Sequence, residues 1–213
     1  MRTIDFYFDP ISPYAALAFE RLPEVLAGRS VAVRYLPIVF GAMLKSLEHK
    51  GPAEIPGKRD WTYRQVLWQG YRMGVPLELP AAHPFNPLGL LRLLWATAEP
   101  GQTPGRYAVE RVLRHVWRGG ADAADPQRLA ALTAELAPGR DPGADGVKAE
   151  LRAATDAAIA RGVFGVPTMA VDDKLFWGLD ALDMLAGYLD GDAWFDGPGW
   201  AAAATLPAGV KRG

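Results

Sequence analysis

The start of the chain changes from a strand pattern to a helix pattern within a short distance. Ile4, Phe6 and Phe8 alternate with the side chains between them, which is the period of two expected of a strand. Ser12 and Pro13 then form a typical helix start, with serine as the N-cap and proline at the first helical position. The first N–H groups and the positive dipole end of that helix would favour an anion, such as a thiolate, beside the Ser12 hydroxyl. A capping role alone would also explain Ser12, and the local pattern leaves both interpretations open.

The order of elements along the rest of the chain predicts an α/β protein. Residues 30–37 have the pattern of a second strand, so the start of the chain forms a strand–helix–strand unit. Helical spacing fills most of residues 61–162, including a helix with Asn86 as its N-cap and Pro87 at its first position. Strand character returns within residues 168–177, before a last helix. Because two strands rarely bury a core alone, both β-containing ends are predicted to form one domain that an all-α insertion interrupts.

The absence of cysteine restricts the chemistry that the chain can perform by itself. It excludes disulfides, thiolate metal sites and cysteine catalysis, so any sulfur nucleophile must come from a bound cofactor. His49, His83 and His115 lie far apart in sequence, and no metal site is expected. The net charge of −1 gives no support for a nucleic-acid or anionic-membrane partner. Without a bilayer-spanning apolar run or a signal-peptide pattern, a cytoplasmic location is expected.

Several motifs, taken in their order and spacing, resemble one known protein family. They are FDPISPY at residues 8–14, HPFNP at residues 83–87, GVPT at residues 165–168 and FWGLD at residues 176–180. This pattern resembles the kappa-class glutathione transferases and bacterial 2-hydroxychromene-2-carboxylate isomerases, and it is closer to the isomerases. The resemblance covers about residues 3–190.

The resemblance implies a thioredoxin-like fold of the DsbA type, within the α/β class. The thioredoxin-like domain would consist of residues 1–38 and 163–195, and the helical insertion of residues 39–162. Residues 196–213, rich in glycine, alanine and proline, form a tail that is expected to be peripheral or mobile. The family also implies a homodimer with glutathione as cofactor.

The resemblance assigns roles to particular residues. Ser12 would be the catalytic residue, whose hydroxyl donates to the glutathione sulfur. The implied glutathione-binding residues are Ser12, Tyr14, His49, Lys58, Val166, Pro167, Leu179 and Asp180. A cis bond between Val166 and Pro167 would turn the backbone of Val166 toward Ser12, where it can pair with the cysteinyl part of the peptide. The Asp180 carboxylate would bind the amino group of the γ-glutamyl end.

Each of these roles has a structural alternative. Pro167 could be an ordinary trans proline, Lys58 a solvated surface lysine and Asp180 a helix N-cap. His49 stands where the family usually has asparagine, and Ala181 where it often has arginine. These two departures leave the glutathione affinity and the substrate open.

The expected reaction interconverts 2-hydroxychromene-2-carboxylate and trans-o-hydroxybenzylidenepyruvate through reversible addition of a thiolate to the conjugated alkene. Asn86, Phe40 and Trp61 are the expected substrate-binding residues, with Leu91 as a further wall of an apolar bay for the aromatic ring. Core packing would explain the three apolar residues equally well, and helix capping would explain Asn86. Lys45 or Lys58 could bind the substrate carboxylate. Two alternatives remain open: a glutathione transferase that conjugates electrophiles through the same Ser12, and a non-catalytic binding protein on the same scaffold.

Overall fold

A mixed β-sheet forms the centre of the molecule. The computed structural model describes residues 1–207 and 209, and the sheet in this part of the chain has the strand order β2-β1-β3-β4. The strands are β1 (Arg2–Phe8), β2 (Val31–Pro37), β3 (Thr168–Val171) and β4 (Lys174–Trp177). Strand β1 is parallel to β2 and antiparallel to β3, which is antiparallel to β4. The chain therefore contributes strands from both of its ends to one sheet, as the sequence predicts.

Helices cover the sheet and fill the sequence between β2 and β3. They are α1 (Pro13–Leu26), α2 (Phe40–Ser46), α3 (Lys58–Met73), α4 (Leu88–Ala96), α5 (Arg106–Trp117), α6 (Pro126–Leu136), α7 (Asp145–Ala160), α8 (Leu182–Leu189) and α9 (Pro198–Thr205). Short 3₁₀ helices occupy Pro52–Glu54 and Ala193–Asp196. Helix α1 is the crossover between the parallel strands β1 and β2. Among the described residues, no helix is long and apolar enough to cross a membrane.

The hydrophobic core is continuous between the sheet and the helices that lie between β2 and β3 in the sequence. Ile4, Phe6 and Phe8 of β1 are fully buried, and the residues between them are buried too, because β1 is a central strand covered on both faces. Leu93 and Leu94 of α4 belong to the same apolar cluster as Phe6. The helical segment, which comprises the helices α2 to α7 between β2 and β3, thus stabilises the sheet directly through shared packing. The predicted division into two domains and a tail stays a prediction.

The start of α4 differs from the sequence prediction by one residue. The helix begins at Leu88, and Pro87 lies just before it with φ −84° and ψ −3°. The Asn86 side chain still caps this end, because its Oδ1 accepts a hydrogen bond from the Leu88 N–H at 3.1 Å. An Asx cap that reaches two residues ahead accounts for the shift.

The end of the chain packs more closely than its composition indicates. Phe195 is 5% exposed, and the ring of Trp200 in α9 lies 5.5 Å from the Phe195 ring, measured between centroids. Trp200 also lies 6.5 Å from Phe176 of β4. Trp200 thus packs against the core, whereas residues 201–203 beside it are exposed, and the predicted tail of residues 196–213 stays a prediction. Residues 208 and 210–213 of the predicted tail lie outside the described residues.

Candidate active site

The Ser12 side chain lies where the carboxyl end of β1 meets the start of α1. Ser12 is the N-cap of α1, with Pro13 as the first helical residue, so this predicted helix start is confirmed. Its Oγ accepts a hydrogen bond from the Ala15 N–H at 3.3 Å and donates one to the Val166 carbonyl at 3.3 Å. The residue is only 7% exposed. The hydroxyl therefore connects the positive end of the α1 dipole to the loop that precedes β3.

The Val166 backbone offers a hydrogen-bonding position beside Ser12. The Val166–Pro167 peptide bond is cis, which is the isomer that the resemblance implies. The Pro167 carbonyl accepts from the Gly178 N–H at 2.9 Å, whereas the Val166 N–H finds no acceptor among residues 1–207 and 209. Backbone N–H groups need an acceptor, so this one is available to a group from outside the chain.

Tyr14 connects the start of α1 to helix α3. Its hydroxyl donates a hydrogen bond of 2.7 Å to Gln65 Oε1. Burial is the main cause that raises the pKa of Tyr14, and the negative charge of Asp180 raises it further, against the lowering effect of a hydrogen bond with Thr62. Lys58, Thr62 and Gln65 follow one another at i, i+4 and i+7 and therefore lie on one face of α3. Gln65 brings this face into contact with Tyr14, and Lys58 lies on the same face at the start of the helix.

Asp180 precedes α8 without capping it. The helix begins at Leu182, and its N-cap, Ala181, makes no side-chain capping bond. Leu179 is buried and Asp180 is exposed. Gly178 has φ +98°, and a Cβ at this position would lie 2.4 Å from Asp180 Oδ1, so the bend before Asp180 requires glycine. The capping alternative for Asp180 is thereby removed, and its carboxylate faces solvent near Tyr14.

The other residues proposed from the sequence lie in mixed surroundings. His49, Lys45 and Lys58 are exposed, and Asn86 is exposed and engaged in capping α4. Phe40 is partly buried and packs against the cluster that contains Val166.

The predicted apolar bay is not formed as expected. Leu91 is 0% exposed and belongs to one apolar cluster with Trp95, Val147 and Leu151, so of the two interpretations open for it, core packing is the one that the structure supports. Hydrophobicity alone made Leu91 suitable for a substrate contact, but its side chain is used to pack α4 against α7. Trp61 is 64% exposed on the surface of α3.

A fully buried carboxylate, that of Asp9, belongs to the turn before Ser12, and sequence reasoning gave it no role. Asp9 Oδ1 accepts from the Ile11 N–H and Oδ2 from the Phe40 N–H, both at 3.0 Å. Burial raises the pKa of Asp9 to about 7, although both hydrogen bonds act to lower it. The alternation along β1 made Asp9 look like an outward-facing strand residue. The Asp9–Pro10 pair was the available signal for a turn.

Two aromatic side chains from the helical segment also hold this turn. Trp117 Nε1 donates to the Pro10 carbonyl at 2.8 Å, and His83 Nε2 bonds to the Ile11 carbonyl at 2.7 Å. Neither residue received a role from the sequence, although HPFNP was recognised as a motif. In the described part of the chain, no group of three or more histidine, aspartate and glutamate residues is placed to hold a metal ion.

Comparison with known proteins identifies the family of this chain. The model of the DSBA-like thioredoxin domain family matches residues 3–190, nearly the whole described chain. The chain belongs to this family. It is 31% identical over 195 residues to a 2-hydroxychromene-2-carboxylate isomerase of Sphingobium xenophagum, covering 88% of this chain and 98% of that protein. It is 26% identical over 210 residues to glutathione S-transferase kappa 1 of Homo sapiens, covering 91% and 92% of the two chains.

A solved structure confirms the fold. The structure of a 2-hydroxychromene-2-carboxylate isomerase superposes with a TM-score of 0.77 at 24% identity, and the match covers 96% of this chain and all of that one. The thioredoxin-like fold predicted from the motifs is confirmed. The predicted membership in the family of these isomerases and kappa-class transferases is confirmed as well, and its named members are enzymes.

The pKa of Asp9 leads to a measurable pH dependence. Because the pKa is about 7 in the folded protein against an ordinary value of 3.8, the folded state keeps a proton that the unfolded chain releases. The contribution of Asp9 to stability is thus fully present below about pH 4 and is lost as the pH rises to about 7. As the pH rises through this window, the free energy of unfolding of Asp9→Asn should increase relative to that of the original protein, by up to about 1.4 kcal/mol per pH unit.

Urea unfolding at a series of pH values measures this difference. Asp156→Asn, at an exposed position on α7, is the matched control and should show no such trend. A difference between Asp9→Asn and the original protein that stays constant from pH 4 to pH 7 would mean that Asp9 is ionised throughout.

Proposed function

We propose that the protein is a glutathione-dependent isomerase that interconverts 2-hydroxychromene-2-carboxylate and trans-o-hydroxybenzylidenepyruvate, or a related aromatic enone acid. The observation that carries this proposal is the contact between the Ser12 hydroxyl and the Val166 carbonyl at the N-terminus of α1. It gathers a hydroxyl donor, a helix N-terminus and an unpaired backbone N–H in a chain without cysteine. Relatives at 31% and 32% identity over most of the chain are named as this isomerase.

The residues around Val166 fit the backbone of a bound tripeptide. The Val166 N–H can donate to, and its carbonyl can accept from, the cysteinyl residue of glutathione, as in the addition of a strand. The Ser12–Val166 bond of 3.3 Å is long for an O–H···O bond, so little energy opposes its exchange. When a peptide N–H replaces Ser12 at the Val166 carbonyl, the hydroxyl proton becomes free to turn toward the sulfur.

The charged groups suit the two ends of glutathione. Asp180 would accept from the γ-glutamyl amino group, and Lys58, on the face of α3 that includes Gln65, would bind a carboxylate of the peptide. We propose that Tyr14 and Leu179 shape the space between these ends, next to Pro167. His49 would supply a donor for a carboxylate where asparagine is usual in the family.

The chemistry depends on a nucleophile that the chain lacks. Bound glutathione would supply a thiolate that adds reversibly to the conjugated alkene of the enone acid and thereby permits rotation about that carbon–carbon bond. Ser12 and the N-terminus of α1 would stabilise the negative charge on sulfur through an O–H donor and aligned N–H dipoles. Lys45 or Lys58 would bind the substrate carboxylate, while Phe40, Trp61 and Asn86 would contact the rest of the substrate.

Removal of the Ser12 hydroxyl tests this proposal. Ser12→Gly keeps most of the capping preference, whereas Ser12→Ala loses about 1 kcal/mol of it, so the pair separates folding from chemistry. Both variants are expected to lose roughly 1.5–3 kcal/mol of thiolate stabilisation, equal to a fall of ten- to a hundredfold in the isomerisation rate. Absorbance of the two isomers follows the reaction, and glutathione is titrated by calorimetry.

The matched control for this experiment is Ser30→Ala. Ser30 lies before β2, at the end of the sheet opposite Ser12, and this variant should keep the full rate. Unchanged isomerisation in Ser12→Gly, with glutathione still bound, would contradict the role of the hydroxyl.

A transferase is the second candidate, favoured by the kappa-class relatives. It would use the same Ser12 but would release a conjugate of glutathione and an electrophile. Steady conjugation of a chlorodinitrobenzene acceptor, without isomerisation of the hydroxychromene acid, would favour this candidate. If calorimetry detects no glutathione binding at millimolar concentration, both catalytic proposals fail and a non-catalytic binding protein remains.

Asp180 provides an independent test of how glutathione is oriented. Because Asp180→Asn removes the charge that would bind the γ-glutamyl amino group, we expect about tenfold weaker binding of glutathione. Asp183→Asn, three residues further along and paired with Arg21, changes the net charge equally and should leave the affinity unchanged. Calorimetry measures both dissociation constants. Equal affinities in the two variants would show that Asp180 does not contact glutathione.

We also propose that the chain forms a cytoplasmic homodimer, as its resemblance to the family implies. Sedimentation equilibrium should give twice the chain mass of 23.0 kDa at micromolar concentration, and cell fractionation should place the protein with cytoplasmic markers. A monomer throughout the concentration range would contradict the assignment of a dimer.

A further inference from the structure

His83 forms a chain of short hydrogen bonds that ends next to Ser12. Its Nε2 lies 2.7 Å from the carbonyl oxygen of Ile11, the residue that precedes Ser12. Its Nδ1 lies 2.7 Å from the hydroxyl of Tyr63, which belongs to α3. His83 is partly buried in the segment between α3 and α4, so these bonds connect the helical part of the molecule to the turn before α1.

The direction of these hydrogen bonds is determined by the partners. A carbonyl oxygen can only accept, so the proton of the neutral ring must be on Nε2, and Nδ1 accepts from the Tyr63 hydroxyl. Burial lowers the pKa of His83, and the nearby charge of Arg59 lowers it further, against the raising effect of the Ile11 bond. The rings of Trp117, Phe85 and Tyr63 lie 5.5, 5.9 and 5.6 Å from that of His83, between centroids, and restrict its rotation.

The bond to Ile11 fixes the peptide unit that leads into Ser12. This unit contains the Ile11 carbonyl and the Ser12 N–H, which are held in one plane. The carbonyl is held by His83, and the N–H donates to the Asp9 carbonyl at 3.0 Å. Both polar ends of the unit are therefore tied to fixed groups, and the direction in which the Ser12 side chain leaves the backbone follows from them.

We propose that His83 is a positioning residue for Ser12, which acts through the Ile11 carbonyl to direct the Ser12 hydroxyl toward Val166 and a bound thiol. This inference rests on the proposed use of glutathione. It adds a role for the helical segment, which would set the geometry of the nucleophile site as well as cover it. Tyr63 would support the same function by holding the ring from the opposite nitrogen.

A set of variants separates this role from general packing. His83→Leu removes both hydrogen bonds, whereas His83→Gln keeps an amide N–H that can reach the Ile11 carbonyl. Tyr63→Phe keeps its ring and loses only the hydroxyl. His115→Leu is the matched control. His115, in α5, is also partly buried, and its Nε2 bonds to the backbone carbonyl of Ala123 and not to the turn before Ser12.

The first measurement is the pKa of bound glutathione, from the ultraviolet absorbance of the thiolate as a function of pH. His83→Leu is expected to decrease the thiolate fraction at neutral pH about tenfold, which corresponds to one pKa unit. His83→Gln should restore most of it, Tyr63→Phe should be intermediate, and His115→Leu should match the original protein. A thiol pKa in His83→Leu equal to that of the original protein would overturn the proposal.

The second measurement needs no glutathione and therefore distinguishes this inference from the proposed function. Hydrogen exchange of the Ser12 amide should be at least tenfold faster in His83→Leu than in the original protein or in His115→Leu. If the original protein binds no glutathione, the proposed function fails, while faster exchange would still support the positioning of Ser12 by His83. Unchanged protection of the Ser12 amide in His83→Leu would overturn the inference whatever the result with glutathione.

Discussion

The hydrogen bond between the Ser12 hydroxyl and the Val166 carbonyl connects positions 154 residues apart in the sequence. The sheet makes this contact possible, because β1 and β3 are antiparallel neighbours with Tyr7 opposite Thr168. The carboxyl end of β1 and the amino end of β3 therefore lie at the same edge. The helix start after β1 and the proline loop before β3 meet there, and the candidate site requires both.

Three side chains form hydrogen bonds with the backbone of the turn between β1 and α1. The Asp9 side chain accepts from the Ile11 N–H, Trp117 donates to the Pro10 carbonyl, and His83 donates to the Ile11 carbonyl. Buried backbone groups that lack partners in a helix or sheet must find them elsewhere, and here the helical segment supplies two of them. These side chains therefore belong to the framework of the candidate site, in addition to the apolar packing that α4 shares with the sheet.

Local signals in the sequence predicted the local features of this site well. Alternation in β1 and the Ser12–Pro13 pair indicate a strand followed by a helix, and both are determined by neighbouring residues. The pairing of β1 with β3 has no local signal and was not predicted; the sequence predicted only that both β-containing ends share one domain. The roles of His83 and Trp117 were missed because each contacts a backbone carbonyl more than seventy residues away. The sequence left two interpretations open for Leu91, because hydrophobicity does not distinguish a core position from the wall of a pocket.

The charge stabilisation proposed for Ser12 would require such a framework. A hydroxyl dipole and the N–H groups at the start of α1 stabilise an anion only when they point at it, whereas a flexible lysine can follow a displaced charge. A small rotation of Ser12 would therefore weaken the stabilisation of a thiolate more than a similar movement of Lys58 would. Dipoles that are held in advance need no reorganisation when charge develops. A site that relies on the Ser12 hydroxyl must accordingly fix its backbone, and the hydrogen bonds of Asp9, Trp117 and His83 do this from three sides.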